Sequence, residues 1–534
     1  MADQSHHPII YVRGFAATQS EIEETVADPY MGFNIGSTKA RMAWTGKVRR
    51  FYFESPLVRL MSDHDYKDVF VEGDDMLASN DPDRKIPYKS IIIYRYYDDA
   101  SEDFGNGKGT PAITEFATGL GKLILDLRKK ICDNPDNNVT PETFRVHLVA
   151  HSMGGLVCRA FLQNTKLSKP EARAAVDKLF TYATPHNGID MRIVRNVPGW
   201  LSFGDVNNFN RDNMAKYLDV PKGPDVSLLK NIRPDRVFNL VGTNPRDYAT
   251  AGGLSAWAVG DASDGLVRIE NATTHGPADG IAGPDVTSPR AFVHRSHSGP
   301  YGIVNSEEGY QNLTRFLFGD LRVDGILDID DITFPAAVQA EHDAGKNVEA
   351  SYQFEVAVGI RGSQWQVTRR EVRENSAIFR CYEDLFPQTG KPERPPNREN
   401  SPHLFSVFLD SAKSNVKKSG AASGSVSFAV DLKVLVPDYN VAGSFFKRAH
   451  YEGGYILRTQ ILIEAFQDDR ALGGWRVNYG DQDKTPGVAA IPAPTEALPL
   501  NAEGTPGLTF GIKLDQPARP GFSGTLRFEA RPRN

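Results

Sequence analysis

Two patterns of hydrophobic positions divide the chain. In the first 320 residues, short apolar runs of strand length alternate with segments whose apolar residues recur at helical spacing. Strands that alternate with helices favour a mostly parallel sheet with helices on both faces, and we predict such an α/β fold here. The predicted strands are Pro8–Val12, Arg50–Phe53, Ile91–Tyr97, Val146–Ala150, Lys178–Ala183, Val237–Val241 and Ala291–His294, with helices at 112–131, from Gly154 and at about 306–318.

After Asp320 the pattern changes to alternation with a period of two. Clusters of Gly, Pro, Asn and Asp separate the alternating segments, which is typical of an all-β region, most simply a sandwich. We therefore predict a first domain over residues 1–322 and a sandwich-like domain over 323–534, which could serve as a substrate- or lipid-binding accessory module. The alternating segments are 352–358, 365–368, 404–408, 426–434, 455–463, 475–479, 508–512 and 525–528.

Two long segments, 54–88 and 189–233, do not fit the alternation of strands and helices in the first domain. The second contains the apolar residues Trp200, Leu201 and Phe203. Long connections inside compact domains are often lids over a site. We therefore interpret residues 189–233 as a cap or lid insertion.

The run Val146–Ala150 is followed at once by His151 and Ser152, and then by apolar residues at helical spacing. A serine at such a strand-to-helix corner lies on a tight turn that exposes its hydroxyl, and the residues two before and two after it must be small. Ala150 and Gly154 meet that requirement. The pattern indicates a nucleophile elbow and makes Ser152 the predicted nucleophile.

A serine nucleophile needs a histidine as base and an acid that orients this histidine, in the chain order serine, acid, histidine for this kind of fold. The turn Gly260–Val267 offers Asp264 as the acid, with Asp261 as the alternative. Because catalytic groups of open α/β sheets lie beyond the carboxyl ends of strands, His297 is preferred as the base over His294, which still belongs to a strand.

The tetrahedral intermediate needs two backbone N–H donors for its oxyanion. One is expected from Met153, the residue after the nucleophile, and the other from Phe15 in the loop after the first strand, where Gly14 permits the turn. His151 is expected to direct its side chain away from the nucleophile, and His186 to shape a loop near the pocket.

These motifs resemble the α/β-hydrolase superfamily, in particular its bacterial lipase and PGAP1-like esterase branches. The resemblance covers the first 320 residues and implies an α/β-hydrolase fold that cleaves carboxylic esters, with Asp264 in the position of the family's catalytic acid. Arg13-Gly14 stands where the family has a His-Gly oxyanion pair. The matching pieces are Ala150–Gly155, Ala183–Gly188, Asp264–Val267 and the Ser-His-Ser-Gly run that ends at Gly299.

Composition excludes several other classes of function. The 534 residues have a net charge of −6, which gives no indication of a nucleic-acid partner. There is no apolar run of membrane-spanning length, so only peripheral lipid contact is expected. The first residues lack a signal-like pattern, so we expect a cytoplasmic protein, with signal-independent export as the alternative. The three cysteines have no zinc spacing, and Ser298 and Gly299 stand where some related lipases have calcium ligands, so no metal and no cofactor are expected.

The leading hypothesis is a serine esterase or lipase with a Ser152–His297–Asp264 triad, an acyl-enzyme intermediate and an apolar or acyl ester as substrate. One alternative is a phospholipase, which could be a secreted effector. Another is a non-catalytic binding protein on a hydrolase scaffold. The sequence leaves the oligomeric state open.

Overall fold

The computed structural model divides the chain into two compact units, Met1–Phe318 and Gly319–Asn534. No helix among the described residues is long and apolar enough to cross a membrane. The described residues are 6–14, 19–34, 38–42, 45, 47–52, 54–71, 74–75, 77, 85–103, 112–189, 207–246, 262–299, 301–363, 365–387, 395–411, 425–441, 449–467, 475–481, 491–492, 496–497 and 507–533.

The N-terminal unit combines short strands with helices. Its strands are β1 (Ile9–Val12), β2 (Thr38–Met42), β3 (Val48–Tyr52), β4 (Lys67–Asp68), β5 (Phe70–Val71), β6 (Asp74–Asp75), β7 (Ser90–Ile93), β8 (Val146–His151), β9 (Val176–Tyr182), β10 (Val237–Gly242), β11 (His275–Pro277), β12 (Asp285–Thr287) and β13 (Arg290–Val293). Its helices are α1 (Gln19–Ala27), α2 (Pro56–His64), α3 (Ile113–Cys132), α4 (Met153–Gln163), α5 (Pro170–Ala174), α6 (Arg211–Leu218) and α7 (Glu307–Phe318).

Seven of these strands form one sheet in the order β13-β10-β9-β8-β1-β7-β4, and every neighbouring pair is parallel. The central strands β1, β8 and β9 are almost wholly buried, as expected for a sheet covered on both faces. The predicted α/β-hydrolase fold with a mostly parallel sheet is confirmed. After β1 the chain forms β4 and β7 on one side of β1, and it then forms β8 on the other side of β1. The carboxyl ends of β1 and β8 therefore flank a topological switch point.

The predicted strand Arg50–Phe53, of which Phe53 lies outside the described residues, is present as β3, but it does not join the seven-stranded sheet. β3 pairs in antiparallel fashion with β2, and the two form a separate two-stranded sheet. Only a short connection separates β2 from β3, and such a connection suits an antiparallel hairpin, whereas a parallel neighbour needs a long crossover.

The predicted lid, 189–233, lies partly outside the described residues, which leave out 190–206. The described part of the predicted lid that follows this gap, residues 207–233, is hydrogen-bonded to the end of α4, the helix that follows Ser152. Met214 and Leu218 of α6 are fully buried, and the side chains of Gln163 and Asn164 donate to the carbonyl oxygens of Leu218 and Tyr217.

The C-terminal unit consists mainly of antiparallel strands. They are β14 (Leu321–Thr333), β15 (Val348–Ile360), β16 (Gln366–Arg370), β17 (Ile378–Cys381), β18 (His403–Leu409), β19 (Ser425–Val441), β20 (Ala449–Gln467), β21 (Trp475–Asp481), β22 (Ile491–Pro492), β23 (Glu496–Ala497), β24 (Leu508–Gln516) and β25 (Gly521–Pro532). Two short helices accompany them, α8 (Ala336–Asp343) and α9 (Tyr382–Leu385).

These strands form two sheets that share one hydrophobic core. One sheet has the order β18-β14-β25-β24-β23, and the other has the order β16-β15-β19-β20-β21-β22 with β17 also paired to β15. Val323 and Phe528 of the first sheet belong to the same buried cluster as Phe354, Val430 and Ile461 of the second. The predicted β-rich C-terminal domain is confirmed.

Candidate active site

Ser152 lies at the corner between β8 and α4. Its backbone has φ 53° and ψ −126°, a left-handed conformation that is costly for a residue with a Cβ. The backbone N–H of Ser152 donates to the carbonyl oxygen of Tyr182 at the end of β9 (2.9 Å), which fixes the corner to the sheet. Strained backbone at the end of a central strand is the geometry that the elbow motif predicts.

Two glycines allow the elements around Ser152 to approach each other. A Cβ on Gly154 would lie 2.3 Å from the carbonyl oxygen of Val12 and 2.4 Å from that of Arg13. A Cβ on Gly14 would lie 2.8 Å from the Cβ of Ser152. The loop after β1 is therefore in direct contact with the nucleophile and with the start of α4, because both positions lack a side chain.

We expect Gly154→Ala to destabilise the N-terminal unit by about 1–3 kcal/mol, since the added methyl group meets backbone oxygens that cannot rotate away. Denaturant unfolding measures this effect. Gly223→Ala is the matched control, because the nearest atom to its added Cβ would be 4.0 Å away. Equal stability of the two variants would contradict the close approach.

Asp264 is held by a tight turn beyond β10. Its Oδ1 accepts hydrogen bonds from the backbone N–H groups of Leu266 (3.0 Å) and Val267 (2.7 Å), which leaves Oδ2 to face the histidine. Val267 packs in a small apolar cluster with Val241 and Phe292 and so fixes the turn to the sheet. The carboxylate is almost fully buried.

The structure brings Ser152, His297 and Asp264 into one hydrogen-bonded chain. His297 Nε2 lies 2.9 Å from Ser152 Oγ, and His297 Nδ1 lies 2.9 Å from Asp264 Oδ2. Of the alternatives, His294 places its Nδ1 3.2 Å from Thr243 Oγ1, and Asp261 lies outside the described residues. A hydroxyl, an imidazole and a buried carboxylate in this order can remove a proton from the serine and stabilise the resulting imidazolium.

The oxyanion donors were predicted at Met153 and Phe15. Met153 is the first residue of α4, where backbone N–H groups have no intrahelical acceptor. Phe15 lies outside the described residues. In the loop before it, the Tyr96 hydroxyl donates to the carbonyl oxygen of Arg13 (2.6 Å), and the Arg13 guanidinium donates to the carbonyl oxygen of Met31 (2.5 Å). Arg13 therefore anchors this loop to the turn around Met31.

Sequence reasoning missed Arg159, a fully buried cation on α4. Its guanidinium donates to the carbonyl oxygen of His186 (2.9 Å) and to those of Val226 (2.9 Å) and Leu228 (3.0 Å), and its Nε donates to Gln163. Burial lowers the pKa of Arg159 to about 10. The signal in the sequence was a single charged residue inside an apolar helix. Arg159 therefore joins α4 by hydrogen bonds to the loop at His186 and to the segment 226–228.

One group of metal-ligand side chains lies close together among the described residues, namely His7, His147 and Asp177 near the amino ends of β1, β8 and β9. Lys178 Nζ lies 3.8 Å from one oxygen of Asp177, and Arg236 Nη1 donates to the other oxygen (2.8 Å). Two cations thus already neutralise the carboxylate, and a metal ion there would be repelled. Burial also lowers the pKa of His7 to about 4, so this histidine adds no charge at neutral pH.

Residues 109–222 match the model of the PGAP1-like alpha/beta domain family, and this stretch includes β8, Ser152 and α4. No curated protein matches the sequence. Similar solved structures include the mature form of the lipase BlEst2 from Bacillus licheniformis, with 16% identity, 59% of this chain and 93% of that chain covered, and a TM-score of 0.29. The phospholipase PlaB from Legionella pneumophila shows 12% identity, coverage of 79% and 85%, and a TM-score of 0.30. Likenesses at these TM-scores support no argument about activity.

Proposed function

Residues 109–222 relate the protein to the α/β-hydrolases of the lipase and esterase group, and from this relationship we propose that it is a serine hydrolase of carboxylic esters. The observation that supports this most is the contact of His297 with both partners, Ser152 Oγ at 2.9 Å and Asp264 Oδ2 at 2.9 Å. A base within hydrogen-bond reach of a hydroxyl, itself oriented by a carboxylate, is the requirement for activating a serine.

In the proposed mechanism, His297 Nε2 accepts the proton of Ser152 as Oγ attacks the ester carbonyl carbon. Asp264 stabilises the imidazolium, and the N–H groups of Met153 and Phe15 bind the oxyanion of the tetrahedral intermediate. When the intermediate collapses, His297 returns the proton to the leaving alcohol, and the acyl group remains on Ser152. Water then attacks the acyl-enzyme with His297 again as the base, which releases the carboxylic acid and restores Ser152.

The proposed substrate is an apolar or acyl ester. Support comes from the apolar residues Trp200, Leu201 and Phe203 of the predicted lid, which lie outside the described residues. Their neighbour in the chain, Phe209, is buried where this segment joins α6. The predicted apolar lid favours substrates whose acyl part leaves water on binding.

The test uses the wild-type protein with p-nitrophenyl esters of increasing chain length and with a fluorophosphonate probe. We expect ester hydrolysis, stoichiometric inactivation by the probe, and the added mass on the peptide that contains Ser152. Phosphatidylcholine vesicles form a second arm, and release of fatty acid from them would assign the substrate to the phospholipids. Full activity after complete labelling, or a label on another residue, would overturn the proposal.

A further inference from the structure

The side chain of His151, the residue before Ser152, makes a contact with His297 that the sequence pattern does not predict. Its ring lies beside the ring of His297, with centroids 5.0 Å apart and planes inclined by 44°. Its Nε2 lies 3.0 Å from the backbone carbonyl oxygen of His297. Nδ1 of the same ring is close to the loop after β1, since a Cβ added to Gly14 would lie only 3.2 Å from it. The ring therefore lies between the loop after β1 and the loop after β13.

This contact adds to the hydrogen bonds that hold His297. The backbone N–H of His297 donates to the carbonyl oxygen of Asp264 (2.9 Å), and its carbonyl oxygen accepts from His151. The backbone of the base is thus held on both sides, while its two ring nitrogens contact Asp264 and Ser152. A fixed backbone restricts where the imidazole can lie relative to Ser152 Oγ.

The same contact places a proton on Nε2 of His151, because a carbonyl oxygen can only accept. Burial, followed by the nearby His297 and Arg13, holds the pKa of His151 well below its ordinary value. A neutral neighbour is what His297 needs, since a second cation 5.0 Å away would oppose the charge that His297 gains on taking the serine proton.

We propose that His151 is a positioning residue that holds the backbone of His297 so that its Nε2 stays within reach of Ser152 Oγ; this rests on the proposed serine hydrolase. His151 acts through His297 and does not touch the substrate. A neutral donor at the position of Nε2 is sufficient for this role, whereas an apolar side chain is not.

The test compares His151→Leu with His151→Gln, whose amide nitrogen can reach the position of Nε2. We expect His151→Leu to lower kcat about 10–100-fold on p-nitrophenyl butyrate with little change in KM, because displacement of a catalytic group by about 1 Å can cost 10²-fold. His151→Gln should recover most of the lost kcat. His294→Leu is the matched control, since His294 contacts Thr243 and should leave kcat near the wild-type value.

A second measurement separates positioning from an independent role. In a His297→Ala background, His151→Leu should cause no further loss of the residual activity, because there is no imidazole left to position. A further tenfold loss there, or a His151→Leu enzyme with wild-type kcat, overturns the inference and leaves the proposed function intact. If the wild-type protein neither hydrolyses esters nor reacts with a fluorophosphonate, the proposed function fails, and the inference fails with it.

Discussion

Alanine at position 152 is expected to lower kcat for ester hydrolysis about 10⁶-fold, the scale of loss when a serine hydrolase loses its nucleophile. In the proposed mechanism Ser152 Oγ is the atom that bonds to the acyl group, and it lies 2.9 Å from His297 Nε2. Folding should be little affected, because the backbone of the corner stays in place. Initial rates with a p-nitrophenyl ester, together with thermal unfolding, measure both.

The control for this variant is Ser62→Ala, which removes an exposed serine hydroxyl on α2 and should leave kcat unchanged. The double variant Ser152→Ala/His297→Ala should be no less active than Ser152→Ala alone, since the residues of a triad act as a unit. A Ser152→Ala protein that keeps more than a small fraction of the activity would rule out Ser152 as the nucleophile.

Asparagine in place of Asp264 is expected to lower kcat about 10⁴-fold. Two backbone N–H groups, those of Leu266 and Val267, donate to Oδ1 and will keep the amide oxygen at that position. The amide nitrogen then faces His297 Nδ1, where a donor meets a donor. The imidazole must move its proton to Nε2 to relieve this clash, and Nε2 can then no longer accept the proton of Ser152.

The matched control is Asp285→Asn, the same change at a second His–Asp pair. Asp285 lies 2.8–2.9 Å from Nδ1 of His275 on an exposed hairpin, so its loss should leave kcat within about twofold of the wild-type value. Similar kcat values for the two variants would contradict the assignment of Asp264 as the orienting acid.

The parts of the site that sequence could predict are those that local spacing defines. Ser152 was visible because a strand, two small residues and a helix occur within a dozen positions, and Asp264 and His297 followed from the required chain order. The contacts of His151 and Arg159 were missed because their partners lie far along the chain. Their hydrogen bonds reach His297 in one case, and His186, Val226 and Leu228 in the other.

The same distinction holds for the fold. Period-two alternation predicted most strands of the C-terminal unit, but β14 was missed because it contains several aspartates, which are uncommon in strands. The structure shows why they are tolerated, since Asp324 binds Arg322 and Asp328 binds Arg527. The period-two pattern classes each residue only as apolar or polar. These aspartates are stabilised in the strand by arginines on the same strand or on a neighbouring strand, and the pattern does not show such pairs.

The order of strands in the parallel sheet affects when the site can form. β13, which precedes His297, is the last of the seven strands in the chain and lies at an edge of the sheet among the described strands. The nucleophile enters with β8 near the middle, so a sheet still lacking its last strand holds Ser152 without its base. Pairing between segments that are distant in the chain is slow, because the closure of long loops costs entropy. We therefore expect Ser152 to lack its proposed base until the strand before His297 has paired with the sheet.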